Sequence, residues 1–112
     1  MNYKIVIDAS HGGDDVGNSG NGILEKDLML QISKYMKDRF ESMGVPVIMT
    51  RETDETITPE QRIEKIIHTY GDNSDVIILS NHVASGGGKG YCGKVTFFET
   101  TTIFITMCKM NL

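Results

Sequence analysis

Apolar positions along this chain fall into short β-branched runs separated by longer stretches of helical periodicity. Residues 3–8 and 76–80 are short, almost wholly apolar runs, which predicts strands that are buried on both faces. Residues 45–50 predict another strand, with Pro46 at its beginning, where a missing N–H costs least. The pattern therefore predicts three strands.

Two stretches between these strands show the spacing of amphipathic helices. Residues 25–43 place apolar side chains three or four positions apart, and Gly44 follows, as is common after a helix. The members of this apolar stripe are Leu28, Ile32, Tyr35, Met36, Phe40 and Met43. The second helix begins after Thr58, because Thr58, Pro59 and Gln61 form a capping-box signature. Its predicted apolar face consists of Ile63, Ile66, Ile67 and Tyr70, and Gly71 ends it.

This order of elements predicts an α/β fold: an open, mostly parallel sheet of βαβαβ order with helices on its faces. Residues 95–98 and 101–107 are β-prone by residue type, and no third amphipathic helix is predicted. We therefore expect one domain over residues 1–112, with an abbreviated, β-prone C-terminal part.

Composition excludes two classes of function. The chain has 112 residues, of which 11 are basic and 15 acidic, giving a net charge of −4 without a basic cluster. A nucleic-acid surface needs a concentrated basic patch, so we expect no nucleic-acid partner. Apolar runs are far shorter than the ~20 residues of a membrane span. Cys92 and Cys108 are too few for a disulfide framework; a pairing between the two stays open, but we expect free thiols.

Two histidines follow predicted strands at equivalent places. His11 follows the first strand and His82 follows the third, and Glu25 opens the helix after the first strand. Because parallel strands end at the same edge of a sheet, we expect these three side chains to converge there. Two imidazoles and a carboxylate are a common ligand set for catalytic zinc. A histidine after a strand is also common as an ordinary loop or cap residue, and both interpretations stay open here.

The neighbours of these histidines sharpen the zinc interpretation. Asp14 or Asp15 is a candidate second-shell acceptor for an imidazole N–H beside the metal. His68 lies on the second predicted helix without such partners, which predicts a partly exposed helix residue. The glycine-rich residues 85–90 lack the spacing of a phosphate-binding loop, which favours a surface loop.

Five short motifs resemble one enzyme family. They are VIDASHGGDDVG at 6–17, GILEKDL at 22–28, MTR at 49–51, QRI at 61–63 and SNHVA at 80–84. In this order they resemble the zinc-dependent N-acetylmuramoyl-L-alanine amidases, the amidase-3 type of bacterial cell-wall hydrolase. The resemblance runs from about residue 4 to about residue 90.

The resemblance implies a function and a set of site residues. His11, Glu25 and His82 match the family's zinc ligands, and Arg51 and Arg62 match recurrent arginines that we interpret as structural or as fixing loops. Members of the family cleave the amide between the lactyl group of N-acetylmuramic acid and the L-alanine of the stem peptide. The implied cofactor is therefore Zn²⁺, and the implied partner is peptidoglycan.

The chain also departs from the family pattern. Ser10 stands where the family often has glycine, and residues 100–112 look unlike the family, as in a truncated chain. The late family strand that carries a glutamate general base is not recognisable, which leaves Glu99 as a candidate substitute base.

Three hypotheses follow from these matches and departures. The chain is an active zinc amidase; or a truncated, weakly active or inactive zinc-binding relative; or a module that assembles into homo-oligomers through its C-terminal tail. No signal peptide is recognisable at the N-terminus. We therefore expect synthesis in the cytoplasm and action on the cell wall after release, as for an endolysin.

Overall fold

The computed structural model describes residues 2–84, 92–96 and 102–109. Within these residues the chain forms two helices, a five-stranded sheet and a two-stranded hairpin. The helices are α1 (Glu25–Ser42) and α2 (Pro59–Tyr70). The sheet and hairpin strands are β1 (Lys4–Ala9), β2 (Ser19–Gly20), β3 (Ile23–Leu24), β4 (Val47–Met49), β5 (Val76–Ala84), β6 (Cys92–Thr96) and β7 (Thr102–Lys109).

The sheet is mostly parallel, with the strand order β4-β1-β5-β7-β6. Strand β1 lies between β4 and β5 and is parallel to both, and β5 is also parallel to β7. Strand β6 runs antiparallel to β7. The predicted α/β class, the mostly parallel sheet and the β-prone C-terminal part are therefore confirmed.

The two helices cover opposite faces of the sheet, because successive side chains of β1 alternate between the faces. On one face, Ile5 and Ile7 form a buried cluster against which Leu30, Met36 and Phe40 of α1 pack. On the other face, Val6, Val76 and Ile78 pack with Ile66 of α2. Sequence alternation in a six-residue strand thus fixes where both helices dock.

The predicted apolar faces of the helices are partly wrong. In α1, Tyr35 is 67% exposed and Met43, just beyond the helix end, is 63% exposed, whereas Glu25, Met29 and Ser33 are buried. The buried stripe includes two polar positions, so a purely apolar pattern could not locate it. In α2, Ile66 is buried as predicted, but Ile63 and Ile67 are 40% and 37% exposed.

Strand β5 is longer than the sequence predicts, and this changes the position of His82. The predicted strand ends at Ser80, whereas β5 continues to Ala84 because β7 pairs with it along residues 77–84. His82 therefore lies within the strand and not beyond its end. On the other side of β5, strand β1 pairs with it only as far as Asn81, which lies opposite Ala9. The residues after Ala9 therefore leave the sheet at this point.

The start of α2 is as predicted. The Thr58 hydroxyl accepts a hydrogen bond from the Gln61 N–H, and the Gln61 side chain accepts one from the Thr58 N–H, at 3.1 and 2.8 Å. This capping box satisfies donors that would otherwise lack partners in the first turn. Among the described residues, neither helix combines the length and the apolar composition of a membrane-spanning segment.

Candidate metal centre

The loop after β1 presents His11 in an unusual backbone conformation. His11 has φ 63°, in the left-handed region that non-glycine residues seldom adopt. Such a conformation persists when surrounding contacts enforce it, and it is frequent at functional sites.

Arg51 supplies many of the contacts that enforce this loop. Its side chain is fully buried, and it donates hydrogen bonds to the backbone carbonyls of Ala9, Ser10 and Lys26 at 3.1, 2.9 and 2.8 Å. These acceptors lie at the end of β1 and the start of α1. Arg51 therefore joins the two segments that carry His11 and Glu25, which is the loop-fixing role predicted from the sequence.

Arg62 of α2 ties the same loop to a buried carboxylate. Its guanidinium donates to the Asp8 carboxylate at 2.5 Å, to the Ala9 carbonyl at 2.8 Å and to the His11 carbonyl at 3.0 Å. The Thr50 hydroxyl also donates to Asp8, at 2.9 Å. Sequence reasoning did not single out Asp8, although an acid near the end of a buried strand needs such partners and is itself a signal.

Glu25, the first residue of α1, is buried and accepts hydrogen bonds on both oxygens. Oε1 accepts from the backbone and side-chain nitrogens of Asn18 at 2.9 and 3.1 Å. Oε2 accepts from the Val83 N–H at 2.8 Å and from the Ser10 hydroxyl at 3.3 Å. Burial acts to raise the pKa of Glu25, but these backbone donors and the adjacent histidines outweigh it and hold the pKa below its ordinary value. Glu25 is therefore an ionised carboxylate at neutral pH.

The structure brings His11, Glu25 and His82 together. His11 Nε2 lies 3.3 Å from Glu25 Oε1, and His82 Nδ1 lies 3.7 Å from Glu25 Oε2. One nitrogen or oxygen of each residue lies within 4.8 Å of the others. Tetrahedral ligands with bonds of ~2.1 Å lie about 3.4 Å apart, so small side-chain rotations suffice for a shared ion. Among the described residues, these three form the one cluster of histidine, cysteine or acidic side chains whose ligand atoms are close enough to hold a metal ion.

The outer nitrogen of each histidine also has a partner. His11 Nδ1 lies 2.8 Å from the carboxylate of Asp15, and this hydrogen bond is the main cause that lowers the pKa of Asp15. His82 Nε2 lies 3.1 Å from the Ser80 hydroxyl. Of the two predicted candidates, Asp15 thus contacts an imidazole nitrogen, whereas exposed Asp14 contacts the Thr56 hydroxyl through its backbone N–H.

Close packing at the site requires a glycine at position 17. Gly17 has φ 69°, and a Cβ there would lie 2.6 Å from His11 Cδ2 and 2.7 Å from Glu25 Oε1. Any larger residue would therefore displace two of the three clustered side chains.

A pocket of about 300 Å³ opens beside this cluster. His11 and His82 line it, and so do Ile57, Pro59 and Ile63, an apolar wall at the start of α2. The side chains of His11 and His82 are 26% and 35% exposed, so both can be reached from the pocket. His68, which we predicted as a partly exposed helix residue, is exposed on α2.

Several predicted features lie outside the described residues. They are Glu99, which is the candidate substitute base, and the glycine-rich residues 85–90. The backbones of Cys92 and Cys108 lie in β6 and β7.

Comparison with known proteins identifies similar sequences. A family model described as N-acetylmuramoyl-L-alanine amidase matches residues 5–109. The sporulation-specific N-acetylmuramoyl-L-alanine amidase of Bacillus subtilis is 38% identical over 90 residues, which cover 79% of this chain and 34% of that protein. The amidase CwlM of Bacillus licheniformis is 37% identical over 90 residues, again 79% of this chain and 34% of the relative. The chain thus spans about a third of the length of these two relatives.

Solved structures give the same result for the fold. The amidase AmiC2 of Nostoc punctiforme matches with a TM-score of 0.67 and 32% sequence identity. The match covers 78% of this chain and 47% of the AmiC2 chain.

Proposed function

Because this chain belongs to the amidase-3 family of N-acetylmuramoyl-L-alanine amidases, we propose that it hydrolyses an amide bond in peptidoglycan in a zinc-dependent reaction. The bond is the one between N-acetylmuramic acid and the L-alanine of the stem peptide. The family membership confirms the resemblance read from the sequence motifs, and the similar relatives named as amidases support the substrate.

The observation that carries the proposal is the cluster of His11, Glu25 and His82. Each residue offers one ligand atom, and the set of two imidazoles and one carboxylate suits zinc with a position left open. The Glu25 side chain is only 1% exposed, and the contacts of the described residues bring no lysine or arginine to it. Neutral imidazoles do not balance the charge of a buried carboxylate, whereas a divalent ion would offset it. The residues therefore fit the ion.

The chain's own residues would hold the ion and shape the pocket around it. When bound, zinc supplies Lewis-acid polarisation of a carbonyl and makes a water molecule acidic near neutral pH. Asp15 would keep the His11 ring in the orientation that presents Nε2. The Ile57–Pro59–Ile63 wall lines the same pocket as His11 and His82 and would exclude water from the scissile amide. Glu99 is our candidate to accept the proton from water.

The test is digestion of purified peptidoglycan sacculi by the zinc-supplied chain, with dinitrophenylation to identify newly exposed amino termini. We expect N-terminal alanine to appear, and we expect a chelator or Glu25→Gln to abolish it. If the zinc-loaded chain releases no N-terminal alanine, the activity is contradicted and the chain is a non-catalytic relative. Native mass measurement in the same preparation tests assembly into homo-oligomers.

A further inference from the structure

We propose that Ser80 is a positioning residue, which relays a hydrogen bond from the buried Asp8 carboxylate to His82 and thereby selects the nitrogen that His82 offers to a metal. The inference rests on the metal site of the proposed function. It concerns a step that comes before catalysis, namely which tautomer of His82 the folded chain contains.

The relay begins at Asp8. A carboxylate can only accept hydrogen bonds, and Asp8 accepts from Thr50, from Arg62 and, at 2.6 Å, from the Ser80 hydroxyl. Asp8 also forms a salt bridge with Arg62. The single hydroxyl proton of Ser80 is therefore directed at Asp8.

The direction of the Ser80 hydroxyl determines the tautomer of His82. With its proton on the Asp8 side, the Ser80 oxygen presents only lone pairs to His82 Nε2, which lies 3.1 Å away. Nε2 must then carry the ring proton, and in the neutral ring Nδ1 carries the lone pair. Nδ1 is the atom that lies 3.7 Å from Glu25 Oε2, inside the cluster. The opposite tautomer would place the Nε2 lone pair against the lone pairs of the Ser80 oxygen, and it would point the Nδ1–H at the metal position.

The two histidines are thus oriented by different devices. His11 donates from Nδ1 to Asp15, whose side chain is 64% exposed, and offers Nε2. His82 donates to Ser80, and both Ser80 and Asp8 are buried. Arg62 connects the two sets of contacts, because it donates to both the Asp8 carboxylate and the His11 carbonyl. The Ser80–Asp8 hydrogen bond is buried, so water competes with it less than with the exposed His11–Asp15 contact.

Loss of an outer partner of a ligating histidine typically lowers metal affinity ~10–100-fold. We therefore expect Ser80→Ala to weaken zinc binding by at least about tenfold in a chelator competition. In the metal-free protein at about pH 8, where an unperturbed imidazole is neutral, nitrogen NMR should show wild-type His82 protonated at Nε2. In Ser80→Ala the spectrum should show a mixture of tautomers.

Thr50→Val is the matched control. It removes a hydroxyl that donates to the same carboxylate and accepts from Arg62, but it leaves the Ser80–His82 contact in place, so zinc affinity and the His82 tautomer should stay as in wild type. Denaturant unfolding of both variants shows that each is folded when it is measured.

Two results would overturn the relay. One is a wild-type His82 protonated at Nδ1, and the other is an equal loss of zinc affinity in Ser80→Ala and Thr50→Val. The tautomer is read without metal, so a wild-type chain that binds no zinc would defeat the proposed function while the NMR result still decides the relay.

Discussion

Glu25 Oε1 lies 3.3 Å from His11 Nε2, although Glu25 belongs to α1 and His11 to the loop after β1. The second oxygen of the same carboxylate accepts the Val83 N–H, in the strand that carries His82. One buried side chain thus links the three segments of the candidate centre. Its charge, its hydrogen bonds and its fit to a divalent ion make Glu25 the residue on which the proposed site depends most.

Replacing Glu25 with Gln should abolish tight zinc binding. The substitution removes the negative charge. It also places an amide NH₂ where, in the wild type, a carboxylate oxygen accepts a hydrogen bond from the backbone N–H of Asn18 or Val83. We also expect a loss of about 1–3 kcal/mol in the free energy of unfolding of the metal-free protein, since a buried donor loses its partner. Equilibrium zinc titration and denaturant unfolding measure both effects.

Glu41→Gln is the control for this change, because Glu41 is an exposed glutamate on the same helix. It should bind zinc like the wild type. Equal zinc affinity in Glu25→Gln and the wild type would show that Glu25 is not a ligand.

Gly17→Ala should disrupt the centre through a steric clash. The added Cβ would meet both His11 and Glu25, and the left-handed backbone adds strain of ~1–3 kcal/mol. Gly22→Ala shares the backbone strain, at φ 77°, but its Cβ would meet nothing within 4 Å. We expect both variants to be destabilised and only Gly17→Ala to lose zinc affinity. Loss in both variants, measured by the same titration, would mean that backbone strain and not the clash is responsible.

Ile63→Ala should reduce turnover of peptidoglycan without changing zinc affinity. Ile63 is 40% exposed and lines the pocket, so truncation removes apolar contact with bound substrate, which is worth roughly 10-fold or more in kcat/KM. Ile67→Ala is the matched control, because Ile67 is 37% exposed on the same helix and does not line the pocket. Equal kcat/KM in the two variants would contradict a substrate-facing role for this wall.

Acid should reduce the stabilisation that the Asp54 carboxylate gives to the loop that carries His11. The Lys26 ammonium and the Gly13 N–H bind the Asp54 carboxylate at 2.9 and 2.7 Å and hold its pKa below the ordinary 3.8. A lowered folded-state pKa means that the stabilisation is complete above the ordinary value and is lost as the pH falls through the folded value. The stability difference between wild type and Asp54→Asn should therefore be constant at neutral pH and shrink below about pH 4.

Denaturant unfolding across this pH range measures that difference. Asp38→Asn, on the exposed surface of α1, removes the same charge outside this loop and is the control. A difference that grows towards acid would have the wrong sign for this account.

Much of the fold could be predicted because local pattern and tertiary structure agree. The apolar runs correctly predicted the strands β1, β4 and β5, and the Thr58 capping box correctly predicted the start of α2. The length of β5 was not predictable from its own residues, since its extension to Ala84 depends on pairing with β7, far along the chain. His82 therefore lies inside a strand and still meets His11, because β1 ends one position earlier in the register.

The polar interior was the harder part of the site to predict. Glu25 and Ser33 occupy the buried stripe of α1, and an apolar pattern assigns that stripe to other residues. Asp8 and Ser80 sit in strands whose hydrophobic runs mask them, and their connection to His82 depends on the register of β1 with β5. The sequence pattern assigned Ile63 to the core, because periodicity cannot distinguish a side chain that faces the sheet from one that lines a pocket.

The most direct test of the account is zinc K-edge X-ray absorption on the zinc-loaded chain. We predict a first shell of nitrogen and oxygen at ~2.0–2.1 Å, with the outer-shell scattering of two imidazoles. His11→Ala should remove one imidazole, and so should His82→Ala. A zinc shell without imidazole scattering, or one unchanged by both substitutions, would contradict a centre built from His11, Glu25 and His82.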